Sequence, residues 1–186
     1  MLSTSRPRLR VLSAVGLAGV LATTGAVTHQ TAAAAATPTA TVAAAPLIAP
    51  AIRPPAGSRL VGAYVVTEGT QTYTCAGGVF TGASVPEARL LGTGGRVHHF
   101  RGPSWQSERD GSLITAKKTA ESPRAGTIPE LLLTVDSHRG AGVLDGVAYI
   151  NRLLTSGGVA PAGSCVDGTT AAVPYGAVYV FWAAKP

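Results

Sequence analysis

The stretch Tyr175-Gly176-Ala177-Val178-Tyr179-Val180-Phe181-Trp182-Ala183 decides the fold class of this chain. β-Branched and aromatic side chains fill most of it, and such residues favour β-strands. Residues 147–154 favour a strand through alternation, because neighbouring side chains of a strand point to opposite faces. One face carries Val147, Tyr149, Asn151 and Leu153, and the other carries Ala148, Ile150, Arg152 and Leu154. Both stretches therefore predict strands.

Six further segments have the composition of strands: residues 60–66, 71–75, 88–91, 96–100, 113–117 and 131–135. The last is apolar at nearly every position, which is typical of a strand buried on both faces. Turn signals stand between the segments: Gly77-Gly78, Gly94-Gly95, Asp110-Gly111, Gly140-Ala141-Gly142, Asp145-Gly146, Gly157-Gly158 and Asp167-Gly168. Ser84-Val85-Pro86-Glu87 favours one helical turn, since Ser caps helices well and Pro suits a first turn.

This pattern predicts an all-β fold, either a single-domain antiparallel β-sandwich or a closed β-barrel with little helix. No long segment has the periodicity of a helix. Residues 57–186 are expected to form that single domain, which is large enough for a hydrophobic core. Residues 37–56 consist mainly of Ala, Pro and Thr, and we expect them to be a disordered linker.

Residues 1–36 have the features of a signal peptide. Three arginines in the first ten residues precede an uncharged apolar run over residues 11–27, and Ala34-Ala35-Ala36 offers a cleavage site. The alternative is an uncleaved anchor, although the apolar run is slightly shorter than the ~20 residues of a membrane span. The chain is therefore expected to be secreted, extracellular or at the cell surface, with a mature form outside the membrane.

The charge of the chain does not favour nucleic-acid binding. The formal net charge is +6, with 15 basic and 9 acidic side chains. Without Arg6, Arg8 and Arg10 of the predicted signal peptide, the charge falls to +3. The remaining basic residues form no stripe of the kind that binds a phosphate backbone. We therefore predict no nucleic-acid partner.

Cys75 and Cys165 are the only cysteines. In an exported protein a lone pair most simply forms a disulfide, which would stabilise this domain by about 4 kcal/mol through closure of a long loop. Two free thiols or a metal site are the alternatives. A metal site would normally show Cys-x-x-Cys or His-x-x-His spacing, and neither occurs. We assign no metal.

Side chains that can act as acids, bases or ligands are most frequent in His98-His99-Phe100-Arg101-Gly102-Pro103-Ser104-Trp105 and in Asp110-Gly111-Ser112. On a strand the two histidines point to opposite faces. A candidate pocket consists of His99, Trp105, Asp110, Ser112, Tyr149 and Arg152. His99 would act as acid, base or ligand, and Arg152 suits a carboxylate or phosphate. The competing interpretation, which we favour, is a structural corner in which Trp105 lies in the core, Asp110-Gly111 forms a turn and His99 bonds to a buried backbone group.

Sequence motifs for common cofactors and nucleophiles are absent. In Gly140-Ala141-Gly142-Val143-Leu144-Asp145-Gly146 the third glycine comes one residue too late for a dinucleotide-binding fingerprint. Neither Ser104 nor Ser156 lies in a Gly-x-Ser-x-Gly nucleophile elbow. We therefore assign no cofactor and exclude an NAD-dependent dehydrogenase.

A pattern of short motifs runs through the predicted domain: Tyr73-Thr74-Cys75, the stretch from His99 to Trp105, Asp110-Gly111-Ser112, Ile128-Pro129-x-Leu131-Leu132-Leu133, Tyr149-Ile150-x-Arg152, Thr155-x-Gly157-Gly158-x-Ala160-Pro161, Cys165 and Val173-Pro174-Tyr175. It resembles the secreted domain-of-unknown-function 3455 family. The resemblance implies an exported protein, one β-rich domain and a paired cysteine, but no established activity. Glu130 is a departure, because the pattern has Trp after Ile-Pro.

Two function classes remain. The first, which we favour, is a non-catalytic extracellular or cell-surface binding module, whose partner is a small molecule or a cell-envelope component. It predicts an apolar concavity with few polar groups. The alternative is a secreted hydrolytic or metal-assisted enzyme, which needs His99 within hydrogen-bonding reach of Asp110 or Asp136. A purely structural envelope protein would have no pocket.

Overall fold

The structure is a computed structural model that describes residues 48–186. A 3-10 turn, Pro50–Ile52, precedes eight strands: β1 Arg59–Ala76, β2 Val79–Gly92, β3 Gly95–Phe100, β4 Ser104–Ser107, β5 Leu113–Ser122, β6 Glu130–Arg139, β7 Tyr149–Gly157 and β8 Thr170–Ala183. The predicted signal peptide and residues 37–47 of the predicted linker lie outside the described residues. In the part that is described, no helix has the length and apolar character needed to cross a membrane.

The eight strands form a closed antiparallel barrel. Each strand pairs with its neighbours along the chain, and β8 pairs with β1 to close the ring. The predicted all-β fold is confirmed, and of the two predicted architectures the structure has the closed barrel. The connections β1–β2, β3–β4, β5–β6 and β7–β8 lie at one end, which we call the upper end. The other three connections lie at the lower end.

Two local predictions are wrong. Ser84 to Glu87 form no helical turn but lie in β2, where they pair with residues 70–73 of β1. The pairing partners of the sheet outweigh the local preference of Ser and Pro for a helix start. Strand β4 was not expected, because its four residues follow a Gly-Pro corner and are too few to show alternation. The strands predicted at residues 60–66 and 71–75 are one long strand, β1, with a bulge after Val66.

The main core fills the barrel interior. Its largest fully buried side chains are aromatic: Trp105, Tyr64, Tyr179 and Phe181. The rings of Tyr64 and Phe181 lie 4.9 Å apart, and Trp105 meets Phe181 edge-on at 6.5 Å. Leu144 and Val147, from the β6–β7 connection, are buried in the same cluster. This connection therefore closes the lower end of the barrel.

A second, smaller core lies on the outer face of β6, β7 and β8. Ile52 is fully buried there against Leu153 and Val180. Asn151 ties the segment to the barrel, because its Nδ2 donates to the carbonyls of Ile52 at 2.8 Å and Leu131 at 3.1 Å. Residues 48–56, the described part of the predicted linker, thus include a turn that packs on the barrel.

Cys75 and Cys165 form a disulfide, with their Cα atoms 6.0 Å apart. The bridge joins the end of β1 to the β7–β8 connection at the upper end. Backbone hydrogen bonds reinforce it, from the Cys165 N–H to the Gly78 carbonyl at 2.9 Å and from the Cys75 N–H to the Thr169 carbonyl at 2.8 Å. The predicted disulfide is confirmed, and neither free thiols nor a cysteine metal site is formed.

Candidate functional site

A cavity lies inside the upper half of the barrel and brings together three of the predicted site residues, His99, Trp105 and Arg152. It has a volume of about 120 Å³. A second cavity of about 250 Å³ adjoins it toward the rim. Four residues line both cavities: Gln71, Ser84, Leu131 and Arg152. The two cavities together are the candidate functional site.

His99 and Trp105 form a stacked pair on the cavity wall. They are directly opposite each other on β3 and β4, and their rings are 4.3 Å apart with an interplanar angle of 5°. His99 Nδ1 lies 2.8 Å from the Ser104 carbonyl. Because a carbonyl only accepts, Nδ1 carries the proton, and Nε2 of the neutral ring is an acceptor. The structural role predicted for His99, a bond to a buried backbone group, is present.

Burial lowers the pKa of His99 to about 3, and the positive charge of Arg152 acts in the same direction. The bond to the Ser104 carbonyl raises this pKa but does not offset burial. His99 is therefore uncharged at neutral pH. His98 points outward, where its Nε2 lies 2.5 Å from Glu87 Oε1. The prediction that the two histidines point to opposite faces is confirmed.

The buried neutral state of His99 predicts a pH-dependent stability. The folded-state pKa lies below the unfolded value, so unfolding takes up a proton when the pH is between the two. Stability is complete above about pH 6.5 and is lost as the pH falls toward about 3, by about 1.4 kcal/mol per pH unit. Urea unfolding between pH 6 and pH 5 should approach this slope in the wild type. It should be absent in His99→Gln and retained in His98→Gln, and an equal slope in all three proteins would contradict the assignment.

Arg152 presents a cation to the cavity. Its Nε and Nη2 donate to the Pro129 carbonyl at 3.2 and 2.8 Å. Among the described residues, no carboxylate lies within 4.0 Å of its guanidinium. Burial raises the pKa of the Tyr179 hydroxyl, and the nearby Arg152 charge opposes this in part. Arg152 is thus held in place by a neutral acceptor, with its charge unbalanced by an anion of this part of the chain.

Two buried donors of the cavity wall make no hydrogen bond of standard geometry within residues 48–186. Trp105 is 0% exposed and Gln71 is 3% exposed, and the groups concerned are Trp105 Nε1 and Gln71 Nε2. The Gln71 side chain also interacts with the Tyr175 hydroxyl, where it opposes the rise in pKa that burial causes. The oxygen of the Gln71 amide accepts from Ser84 Oγ at 2.6 Å. Leaving a buried N–H unpaired costs about 1–3 kcal/mol, so most buried donors are satisfied. The indole N–H of Trp105 is thus a buried donor beside this cavity with no acceptor among the described residues.

Asp110 and Ser112 lie away from this cavity, at the lower end. Asp110 Oδ1 accepts from Ser112 Oγ at 2.6 Å and from the Ser112 N–H at 3.1 Å, and Oδ2 accepts from the Val143 N–H at 3.0 Å. These hydrogen bonds lower the pKa of Asp110 to about 2, and the bond from the Ser112 hydroxyl contributes most. Asp110 therefore fastens the β6–β7 connection across the lower end, and it does not orient His99.

The other predicted polar groups are also elsewhere. Tyr149 shares the outer face of β7 with Asn151, because it alternates with the buried Ile150. Asp136 accepts from Thr115 Oγ1 at 2.5 Å in an exposed position. In the described range, no carboxylate oxygen lies within 4.0 Å of His99. The pairing of His99 with Asp110 or Asp136 is therefore not formed.

Glu130, the departure from the family pattern, lines neither cavity. Its Oε1 accepts from the Leu154 N–H at 2.8 Å and from Arg124 Nη1 at 3.2 Å. Leu154 has a φ of 51°, a left-handed conformation that is strained for a non-glycine residue, at a bulge of β7. Glu130 therefore stabilises the bulge. Residues 48–186 contain no group of three side chains suited to hold a metal ion.

The sequence interpretation missed Gln71 and Ser84 as cavity residues. Gln71 shares one face of β1 with Tyr73 and Cys75, and all three are buried. An amide on an otherwise buried face was the available signal. Ser84 gave none, because it was assigned to a helical turn.

The comparisons with known proteins identify a family. No curated protein and no solved structure matches the chain. A family model described as "Protein of unknown function (DUF3455)" matches residues 84–183, more than half of the chain. The matched span runs from within β2 to the end of β8 and contains His99, Trp105 and Arg152. The chain therefore belongs to the DUF3455 family.

Proposed function

We propose that this protein is an exported, non-catalytic binding module that holds a small ligand in the cavity of its barrel. The observation that carries the proposal is the buried indole N–H of Trp105, which has no hydrogen-bonding partner among the described residues and lies on the same cavity wall as the Gln71 amide. The rest of the wall is largely apolar, with Leu131 and Leu133 among its residues. An apolar concavity with a few convergent polar groups is the usual form of a small-molecule site.

The size of the cavities limits the occupant. Volumes of about 120 and 250 Å³ suit a small molecule, or one unit of a larger cell-envelope component. The N-terminal sequence supports export, and the Cys75–Cys165 disulfide fits an oxidising compartment outside the cytosol. An extracellular or cell-surface location follows from these two features as part of the proposal.

The surroundings of His99 favour binding over catalysis. Its pKa of about 3 makes the ring a weak base, far from the near-neutral pKa that suits a general base. Its Nδ1 proton is committed to the Ser104 carbonyl at 2.8 Å. No carboxylate of the described residues pairs with His99, as the enzyme alternative requires, and the His98–Glu87 pair lies on the outside of the barrel. His99 serves instead as part of the cavity wall.

A fluorescent probe tests the proposal with matched variants of β2. The probe is N-phenyl-1-naphthylamine, which is neutral and fluoresces more strongly in apolar surroundings. Ser84 lines both cavities, whereas the next residue, Val85, faces outward and is 37% exposed. Ser84→Trp should fill the site, and Val85→Trp adds the same side chain outside it. The full-length secreted protein and Val85→Trp should therefore bind the probe, and Ser84→Trp should lose at least about tenfold in affinity.

The outcomes separate clearly. Saturable binding that Ser84→Trp alone removes supports a ligand site in the barrel. Absence of saturable binding to the wild type would overturn the proposal. Equal binding by both tryptophan variants would place the probe outside the cavity and would also overturn it. Near-identical circular dichroism and melting temperatures of the two variants serve as the control for folding.

A further inference from the structure

We infer that the ligand of this cavity is a small organic carboxylate, whose anionic group is bound by Arg152 together with the N–H groups of Trp105 and Gln71. This inference rests on the proposed function and specifies its ligand class. All three side chains line the inner cavity. They come from β7, β4 and β1, so the barrel brings together donors that are far apart in the sequence.

The hydrogen-bonding balance of the cavity favours an acceptor. The Trp105 indole N–H has no partner among the described residues. The Gln71 amide nitrogen makes no hydrogen bond of standard geometry there, although the Gln71 side chain interacts with the Tyr175 hydroxyl. The Gln71 oxygen is already used by Ser84 Oγ at 2.6 Å. Arg152 has five N–H groups. The bonds to the Pro129 carbonyl engage those of Nε and one on Nη2, and the guanidinium also interacts with the Tyr179 hydroxyl. The neutral His99 ring adds one acceptor, Nε2, to the same wall, and donors still outnumber acceptors there, which matches a group with several lone pairs.

The charge balance favours an anion as the acceptor. Glu121 is the one carboxylate that lines either cavity among the described residues, and Lys118 Nζ holds it at 2.7 Å. Arg152 has no such counter-charge. A cation beside apolar groups is stabilised when an anion pairs with it and accepts its hydrogen bonds. A guanidinium also matches the two oxygens of a carboxylate in a bidentate arrangement.

The number of cations and the apolar wall point to a carboxylate rather than a phosphate. One unpaired guanidinium balances a single negative charge, whereas a phosphate dianion would keep a second charge in a partly desolvated site. Pro86, Pro103 and Leu133 offer no polar side-chain atom to further oxygens. These residues suit the hydrocarbon part of an organic acid. The ligand class is therefore a monoanion with an apolar body.

Two indole N–H signals make the test possible. The chain has two tryptophans. Trp105 Nε1 has no partner inside the barrel, while Trp182 Nε1 donates to Asn151 Oδ1 at 2.9 Å on the outer face. In NMR spectra of the ¹⁵N-labelled full-length secreted protein, the Trp105 signal reports on the cavity and the Trp182 signal is an internal control. The Trp105→Phe variant assigns the two signals.

The experiment compares sodium benzoate with benzyl alcohol, a neutral analogue of similar size. Benzoate should shift the Trp105 signal in a saturable way, leave the Trp182 signal in place, and bind roughly tenfold or more tightly than the alcohol, because a hydrogen bond to a charged group is the stronger kind. Arg152→Gln should remove this preference, since Gln can still donate to the Pro129 carbonyl but is uncharged. Arg89→Gln is the matched control, because Arg89 is an exposed partner of Glu68.

Other outcomes of this titration would contradict either the binding site or the ligand class. If neither compound moves the Trp105 signal, the cavity binds no such ligand and the proposed function loses its support. If both bind equally well, binding stands but the carboxylate inference is overturned. Inorganic phosphate that binds as well as benzoate would also overturn it. If the Trp182 signal shows that Arg152→Gln does not fold, Gln71→Met replaces it. This variant should bind benzoate with severalfold lower affinity and the alcohol with unchanged affinity.

Discussion

Trp105→Ala is expected to lower the free energy of unfolding by about 3–5 kcal/mol, the usual cost of removing a large aromatic side chain from a core. Trp105 is fully buried and stacks on His99 at 4.3 Å. It also meets Tyr179 and Phe181 edge-on at 5.8 and 6.5 Å. Truncation would enlarge the existing cavity, and the closed sheet limits how far the wall can collapse. Urea unfolding followed by far-UV circular dichroism measures the loss.

Trp105→Phe separates the packing of the ring from its N–H group. Phenylalanine retains a ring opposite His99 and removes the indole N–H, which has no partner. Its cost should therefore be clearly smaller than that of Trp105→Ala, because removal of an unpaired buried donor offsets part of the lost contact. If Trp105→Ala lowers the free energy of unfolding by less than about 1 kcal/mol, Trp105 is not a tightly packed residue of the core. The free energy of unfolding of natural domains is only about 5–15 kcal/mol, so Trp105→Ala would remove a large part of the stability of this domain.

Loss of the Cys75–Cys165 disulfide is expected to cost about 4 kcal/mol. The bridge joins residues separated by 90 positions, and a loop of that size greatly restricts the unfolded chain. The double variant Cys75→Ala, Cys165→Ala is preferable to serine, because Cys75 is buried. Guanidinium unfolding of this variant should match that of the reduced wild type.

Dithiothreitol supplies the control for this prediction. It should lower the midpoint of unfolding of the wild type and leave that of the double variant unchanged. A double variant as stable as the oxidised wild type would show that the bridge contributes nothing. Because the bridge also fastens the β7–β8 connection to the β1–β2 hairpin, amide exchange near Thr169 and Gly78 should increase in the variant.

The sequence predicted the strands whose local pattern agrees with their surroundings. The stretch around Tyr179 and the alternation around Ile150 are strands β8 and β7, and the glycine-containing turns separate strands as expected. Ser84 and Pro86 were misassigned because pairing with β1, a contact between distant residues, determines their conformation. Periodicity also could not distinguish a sandwich from a barrel, since both need the same alternation. Closure depends on the pairing of β1 with β8, which no short motif encodes.

The candidate site was predictable only in part. His99 and Trp105 are close in the sequence and paired across two strands, so their proximity followed from the hairpin. Arg152 joins them because it faces the interior at the same height of the barrel. Asp110, only five residues after Trp105, lies at the opposite end, since β4 carries the chain from one end to the other. Proximity in sequence therefore does not predict proximity in a meander of strands.

Closure of the ring through β1 and β8 has a consequence for folding. Until these strands meet, the growing sheet has two free edges, formed by strands of 18 and 14 residues. Unpaired edges of this length pair readily with other chains, especially beside exposed apolar side chains such as Leu60 and Val65. We therefore expect the open barrel to be more prone to aggregation than the closed one. The disulfide links the end of one edge strand to the segment before the other, and so favours closure within one molecule.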